Sequence, residues 1–357
     1  MRTLRRYLAS EITVATALVM TALLMLLAFF DLVHEVNDLG VGGYKLKDVV
    51  LHVLLSLPNH VYEAFPIAVL IGTLFAMAQL AASSEYVVIR SSGVSLIRLN
   101  LSLARLGLVF AIATFVFGEF VGPPAEQLAY RLRSHAIAGI IAQEFRSGLW
   151  VKEGRNFVNV ARVTADGQLS NVRVYEFDAD FHLSIIRLAG NGRYLGNRTW
   201  KLTDVVETSF DAKGAQVRKI PELEWVSVLE PRLLSTLVVQ PDQMSAWSLY
   251  SYSRFLKENQ QKPLRYEIAL WTKLMYPVAV LVMMMLAVPF AVFQKRQGGV
   301  GAKIFTGIML GLAFIVMNRL FGTVAVLYDW PAALSATLPT LTLLTLAVGM
   351  MWWQERR

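Results

Sequence analysis

Residue types that catalysis or metal binding requires are present in this sequence, but their spacing supports neither. The five histidines include no pair at metal-ligand spacing with a carboxylate between them. No Gly-x-Ser-x-Gly nucleophile elbow occurs, and no stretch matches the Gly-x-x-x-x-Gly-Lys-Ser/Thr loop that cradles phosphates. Gly298–Lys303 is glycine-rich and basic, but its spacing is typical of a flexible hairpin. Because cysteine is also absent, we expect no catalytic residue, no metal site and no cofactor bound by this chain itself.

One carboxylate in a short polar stretch, Ser83–Arg98, is well placed to recognise another protein. Glu85 is the only acidic residue there; the residues that follow it favour helix, and Gly93 is a natural stop. Residues 87–89 are all apolar, which exposure to water alone does not explain. An apolar surface with one charge is typical of a helix that docks into a partner's groove, although a solvated surface carboxylate is the simpler interpretation.

A second group of residues could bind an anion: Arg131, Arg133, Lys273 and Arg319. Lys273 lies inside one predicted membrane span and Arg319 near the end of another, where a charge at mid-span costs about 2.5–3.5 kcal/mol. The simpler interpretation is that both side chains snorkel to lipid headgroups. The functional one is a basic collar above the helices, suited to phosphorylated headgroups. His52 and His60 are expected to be interfacial residues.

Six apolar runs must position these residues. A hydrophobic fraction of 55%, a charged fraction of 17% and a mean hydropathy of +0.48 indicate an integral membrane protein. A hydrocarbon layer of about 30 Å requires about 20 apolar residues in helix. The predicted spans are Ile12–Phe30, about Ala64–Ala82, Leu99–Phe117, Ile268–Phe293, Ile304–Phe321 and roughly Ala332–Trp353.

Basic residues at the ends of the spans predict the orientation. They place both termini and Ser83–Arg98 in the cytoplasm, and they explain the net charge of +8 without nucleic acid. The first apolar run is too long for a signal peptide, which predicts a retained anchor. The two membrane halves show no convincing repeat, so an inverted-repeat transporter is not supported.

Two further segments are expected beside the spans. Tyr44–Leu57 has apolar residues at helical spacing and predicts an interfacial amphipathic helix that Pro58 ends. The third span should end at Gly118–Glu119, because Gly122-Pro123-Pro124 breaks the chain.

Alternating apolar residues predict a β domain between the third and fourth spans. The expected strands are Phe157–Val163, Val172–Phe177, Trp200–Val206 and Leu223–Leu229, with turns at Asp166-Gly167, Asn191-Gly192, Gly196-Asn197 and Lys213-Gly214. A helix over Ser245–Glu258, capped by Asp242, should lead back to the membrane. The predicted fold class is an α-helical membrane protein with six transmembrane helices and an inserted antiparallel β domain on the side opposite Ser83–Arg98. Its parts are residues 1–121 (with the 83–98 helix), 122–262 and 263–357.

Several stretches resemble the permease subunits of the lipopolysaccharide export transporter, an ATP-binding-cassette machine of Gram-negative bacteria. They are Ser-Glu-Tyr-Val-Val-Ile-Arg-Ser-Ser-Gly at 84–93, Arg-Tyr-Glu-Ile-Ala-Leu-Trp-Thr-Lys at 265–273, Ala-Val-Pro-Phe at 287–290, Gly-Gly-Val-Gly at 298–301 and Gly-Ile-Met-Leu-Gly at 307–311. Residues 118–121 and 148–154 are similar to the G-type rather than the F-type permease. The resemblance covers nearly the whole chain.

The resemblance implies an inner-membrane protein whose β domain is a periplasmic jellyroll. It also implies a heterodimer with an F-type permease, a cytoplasmic ATPase dimer that binds ATP and Mg²⁺, a single-span periplasmic jellyroll subunit, and lipopolysaccharide as substrate.

In such proteins the 83–98 stretch is the coupling helix that contacts the ATPase. The coupling residues carried over are Glu85, Tyr86, Val88, Ile89, Arg90 and Gly93. The substrate cavity has a basic rim, onto which Arg133 maps, with Arg131, Lys273 and Arg319 as further candidates. The outer end of the first span, often basic in relatives, carries Asp31 here, which argues against a phosphate contact there.

The function expected is extraction of lipopolysaccharide from the inner membrane, driven by a partner's ATP. Two alternatives stay open: a scaffold or signalling protein with a periplasmic sensor domain, and an exporter of another lipid. A membrane-bound enzyme is a more distant alternative.

Overall fold

The computed structural model describes most of the chain. The described residues are 2–41, 43–93, 96–136, 149–163, 168–211, 214–227, 229, 241–293 and 300–356. The predicted turn at Asp166-Gly167, Lys213 of the last predicted turn, and residues 294–299 of the expected hairpin lie outside these ranges.

Long helices form the membrane part. The helices before the β domain are α1 (Arg2–Val36), α2 (Leu46–Ala82), α3 (Glu85–Ser91), α4 (Leu96–Val116) and α5 (Gly122–Ala136). The helices after it are α6 (Ala246–Glu258), α7 (Leu264–Phe293), α8 (Val300–Tyr328) and α9 (Ala332–Glu355). Within the described ranges, six segments are long and apolar enough to cross a membrane. The predicted number of spans is confirmed.

The prediction that Pro58 ends a separate amphipathic helix is wrong. Residues 46–82 form one helix, with Pro58 and Pro66 inside it. The first turns bury Val49 and Val53, and they pack against α1 and α5. This burial offsets the roughly 3 kcal/mol that an internal proline costs by removing a hydrogen bond.

The third span also continues past its predicted end. A single π-helical turn, Phe117–Val121, joins α4 to α5, and the N–H of Gly122 donates to the carbonyl of Phe117. The wide turn restarts the helix at Gly122, so Pro123 falls in a first turn, where a missing N–H costs nothing. The Gly122-Pro123-Pro124 break is therefore absorbed by one irregular turn, and the span extends over Leu103–Arg133.

The β domain is one antiparallel sheet whose six described strands are paired in chain order. They are β1 (Leu149–Glu153), β2 (Asn156–Val163), β3 (Leu169–Phe177), β4 (Leu183–Gly196), β5 (Thr199–Asp211) and β6 (Gly214–Val226). Trp200 is completely buried at its core, pairs with Trp225 on β6, and donates its indole N–H to Leu229 O at 2.7 Å. The predicted fold class, a helical membrane protein with an inserted antiparallel β domain, is confirmed.

Two local predictions in this region are wrong and one is confirmed. Asn191-Gly192 lies inside β4 rather than in a turn, because the sheet needs a small residue there: a Cβ on Gly192 would meet Leu202 at 3.1 Å. The turn at Gly196-Asn197 is present. Helix α6 is capped by Ser245, whose hydroxyl accepts from the Ser248 N–H at 3.1 Å, whereas Asp242 lies in a preceding 3-10 turn.

The membrane core is built where α1, α2, α4, α7, α8 and α9 meet. The α1–α2 crossing is very close, since a Cβ on Gly72 would lie 2.6 Å from Thr16 Cα. Small residues at such crossings let membrane helices approach each other. The same core extends to α3, because Tyr86 and Ile89 belong to it.

Candidate coupling helix and basic collar

The helix predicted within Ser83–Arg98 is present as α3. Glu85 begins the helix, and its carboxylate accepts hydrogen bonds from the Tyr7 hydroxyl at 2.9 Å and from the Ser83 hydroxyl at 3.0 Å. Ser84 bridges α2 and α3 in the left-handed region with φ of 62°, which turns the chain sharply between the two helices. The acidic group is thus held at the end of the membrane bundle by α1 as well as by its own loop.

The apolar residues of α3 divide between two faces. Tyr86 and Ile89 are buried in the membrane core, with 2% and 9% of their surfaces exposed. Val87 and Val88 are 48% and 67% exposed. The expected surface of three consecutive apolar residues is therefore corrected to two valines, because at 100° per residue Ile89 turns back to the core.

The other two coupling candidates, Arg90 and Gly93, lie at the end of the helix. Gly93 has a φ of 85°, in the left-handed region that favours glycine. It lies two residues after Ser91, the last residue of α3. The side chain of Arg90 lies outside the described part of the structure. What α3 presents is a carboxylate beside two exposed valines, a combination suited to a partner's groove.

Arg133 lies in an ion-pair network rather than open to solvent. Its guanidinium pairs with Asp38 and lies 3.4 Å from Glu35 Oε2, and 24% of its side chain is exposed. Glu35 is buried and also accepts from the Tyr44 hydroxyl at 2.8 Å, while His52 lies 3.6 Å from it. Burial and this bond to Glu35 raise the pKa of Tyr44. Arg133 is thereby tied to α1.

Lys273 is also engaged. It is 9% exposed, its ammonium donates to the carbonyl oxygen of Met244, and it lies 5.3 Å from the ring centre of Tyr62. These buried contacts with protein groups replace the headgroup contact expected of a snorkelling lysine. In this arrangement Lys273 holds the segment before α6 against α7.

Arg131 and Arg319 are both exposed. Arg319 and Lys273 lie near Asp242. Burial raises the pKa of Asp242, and the negative charge of Glu63 raises it further. The positive charges of Arg265, Arg319 and Lys273 lower it in part. The four predicted collar residues therefore occupy three environments: an ion-pair network at Arg133, a buried site at Lys273, and exposed positions at Arg131 and Arg319.

Sequence reasoning missed the polar groups that surround the collar. His60 lies 2.5 Å from Asp31 and 3.6 Å from Glu63, so it joins α1 to α2 instead of contacting headgroups alone. The signal was available in the spacing: Asp31 and Glu35 lie four residues apart on one face of α1, and Asp38 follows three residues later, just beyond the end of the helix. His52 and His60 are eight residues apart, which likewise places them on one face of α2.

A cluster with metal-ligand atoms occurs among the described residues on the turn after β3. Asp178, Asp180 and His182 bring their side chains together there, all exposed. The Asp178 carboxylate accepts from the backbone N–H groups of Asp180 and His182, each at 2.9 Å, and the bond from His182 is the main reason that the pKa of Asp178 is lowered. These bonds explain the cluster as a turn shaped by an aspartate.

The comparisons with known proteins agree with this architecture. A family model described as the lipopolysaccharide export system permease LptF/LptG matches residues 6–353. The lipopolysaccharide export system permease protein LptG of Haemophilus influenzae is 32% identical over 352 residues, covering 98% of this chain and 97% of the relative. The protein of the same name from Escherichia coli K12 is 29% identical over 350 residues, which cover 98% of this chain and 97% of that relative. The chain belongs to the LptF/LptG family of lipopolysaccharide export system permeases.

Proposed function

We propose that this chain is the G-type permease subunit of an ATP-driven transporter that extracts lipopolysaccharide from the inner membrane. It passes the lipid to a periplasmic bridge of jellyroll domains that leads toward the outer membrane. The observation that carries the proposal is α3: a helix between two membrane spans that holds a carboxylate beside two exposed valines. The family membership and the six spans support it.

Glu85 and its exposed neighbours contact a cytoplasmic ATPase dimer, which binds ATP and Mg²⁺. When that dimer closes, α3 moves with it. Because Tyr86 and Ile89 are packed into the membrane core, displacement of α3 shifts the spans against which they lie. This chain transmits force and performs no hydrolysis.

The cavity that receives the lipid lies between this chain and an F-type permease. Arg133 faces lipid phosphate only when it leaves Glu35 and Asp38, so substrate binding exchanges one anion for another. Arg131 and Arg319 are the exposed members of the collar. Lys273, like Arg133, can bind lipid phosphate only after it leaves its protein contacts, Met244 and Tyr62.

The proposed orientation places both termini and α3 in the cytoplasm and β1–β6 in the periplasm. Paired edge to edge, the open strands of the sheet continue into the next jellyroll of the bridge. The single-span subunit contacts the complex beside these helices.

The test is charge reversal at Glu85. The complex with Glu85→Lys, reconstituted in proteoliposomes, should assemble without transporting lipopolysaccharide, and its ATPase activity should no longer respond to the lipid. Asp180→Lys, the same reversal of charge at an exposed position in the turn after β3, should transport normally. Unchanged transport by the Glu85 variant contradicts the proposal.

The lipid that copurifies with the complex distinguishes the remaining alternatives. Mass spectrometry should identify lipopolysaccharide. Another lipid would indicate a different exporter, and nucleotide turnover that is independent of any lipid would favour a scaffold or signalling protein.

A further inference from the structure

Helix α6, which follows the β domain, has one face packed on the protein and one face open. Leu249, Tyr252 and Leu256 are at most 6% exposed and pack with Tyr130 and Tyr266. The opposite face carries two large aromatic side chains: Trp247 is 73% exposed and Tyr250 is 51% exposed, with ring centres 6.2 Å apart.

The first turn of α6 is fastened to two membrane spans. The Glu119 carboxylate, in the π turn of the third span, accepts from the Ala246 N–H at 2.7 Å and from the Trp247 N–H at 3.3 Å. Lys273 on α7 donates to the carbonyl of Met244. The start of α6 is therefore level with Lys273.

The length of α7 shows where that level lies in the bilayer. Residues 274–293 contain no charged side chain, and twenty residues of helix extend about 30 Å, the thickness of the hydrocarbon layer. Lys273 is the first charge beyond one end of this stretch, and Lys295 and Arg296 follow the other end after Gln294. Lys273, and with it Trp247, lies at the boundary between hydrocarbon and headgroups.

Polarity changes along α6 in the direction that a membrane surface requires. The helix runs antiparallel to α7, since Lys257 pairs with Glu267 at 2.5 Å near the start of α7. Its open face therefore rises from Trp247 and Tyr250 at the boundary to the Arg254–Glu258 ion pair above it. Tryptophan and tyrosine favour this boundary because one part of each ring system is apolar and the other carries a hydrogen-bonding group.

We propose that the first turns of α6 enter the bilayer surface, with Trp247 and Tyr250 inserted between the headgroups and upper acyl chains of the surrounding lipids. Membrane lipid is what contacts this aromatic face, because Trp247 and Tyr250 lie at the depth where lipid, not water, surrounds the spans. This inference depends on the span of α7 and not on the transported substrate. It makes α6 an anchor that fixes the exit of the β domain relative to the membrane.

The absence of cysteine permits a direct test. Trp247→Cys and Tyr250→Cys, prepared separately in the full chain with its copurifying subunits, are labelled with an environment-sensitive fluorophore in lipid nanodiscs. Nitroxide lipids labelled near the ester bonds should quench both sites, by at least about twofold more than they quench Val217→Cys. Val217 is the control because it is 68% exposed on β6, outside the membrane part.

Each outcome is informative. Quenching that is strongest from nitroxides near the ester bonds, with protection from soluble iodide, supports the proposal. Quenching by iodide without quenching by lipid places α6 in water and overturns it. Protection from both quenchers means that another protein covers the aromatic pair, which also overturns it. Two labelled positions keep the test valid if one substitution prevents folding.

Discussion

Tyr7 on α1 donates a 2.9 Å hydrogen bond to the carboxylate of Glu85 on α3, across 78 positions of sequence. The bond connects the first membrane span to the residue proposed to contact the ATPase. Since Ser83 supplies the second bond to the same carboxylate, Glu85 is oriented before any partner binds. Preorganisation of this kind reduces the ordering cost of docking.

Removal of the Tyr7 bond should weaken coupling without abolishing it. A single hydrogen bond contributes about 0.5–1.5 kcal/mol, so Tyr7→Phe should lower lipid-stimulated ATPase activity by no more than about tenfold. Tyr328→Phe, at an exposed tyrosine at the end of α8, is the matched control and should have no effect. Full activity in Tyr7→Phe would show that the bond does not orient Glu85 for function.

The Arg133 network should contribute to stability. Arg133→Ala leaves the buried Glu35 carboxylate without its guanidinium, and the expected loss in free energy of unfolding is about 2–3 kcal/mol. Thermal unfolding in detergent measures it. Arg131→Ala, at an exposed neighbour, should cost less than about 1 kcal/mol.

A second substitution separates charge from packing at this site. If the uncompensated charge of Glu35 causes the loss, then Arg133→Ala combined with Glu35→Gln should recover part of the stability, because an amide is less costly to bury than a carboxylate. Strictly additive losses in the double variant would indicate that Arg133 acts through packing alone.

The α1–α2 crossing should not tolerate a methyl group. A Cβ at Gly72 would lie 2.6 Å from Thr16 Cα and 2.7 Å from Thr16 N, and backbone atoms cannot move aside as a side chain can. Gly72→Ala should therefore cost about 1–3 kcal/mol in thermal unfolding. Gly349→Ala on α9, where no atom lies within 4 Å, is the control and should be neutral or slightly stabilising. Equal behaviour of the two variants contradicts the close crossing.

The sequence was sufficient to predict features that depend on the average hydropathy of many residues. It was insufficient where a single tertiary contact determines the local structure. Twenty apolar residues predict a span whatever their neighbours are, and the six spans are confirmed. Pro58 and Asn191-Gly192 carry strong local signals, but burial of Val49 and the close packing of Gly192 on Leu202 override them. Local propensity cannot include such tertiary energies.

The site divides in the same way. The helix at Glu85 was predictable because propensity and a glycine stop act within ten residues. The environments of Arg133 and Lys273 were not, since their partners Glu35 and Met244 are far away in sequence. A basic residue beside a membrane span predicts a nearby anion or carbonyl, but not whether lipid or protein supplies it.

The left-handed turn at Ser84 should control how firmly α3 is joined to α2. With φ of 62°, Ser84 tolerates glycine but not a β-branched residue, so Ser84→Val should destabilise the chain by about 1–2 kcal/mol. Ser84→Gly should be close to neutral, because relief of strain is offset by a more flexible unfolded chain. Ser91→Val, in the last turn of α3, changes the same atoms at a helical position and should cost only about 0.5 kcal/mol or less. Hydrogen exchange over residues 80–93 and thermal unfolding measure the effects. If Ser84→Val and Ser91→Val behave alike, the turn at Ser84 is not what joins α3 to the bundle, and burial of Tyr86 and Ile89 alone must hold it.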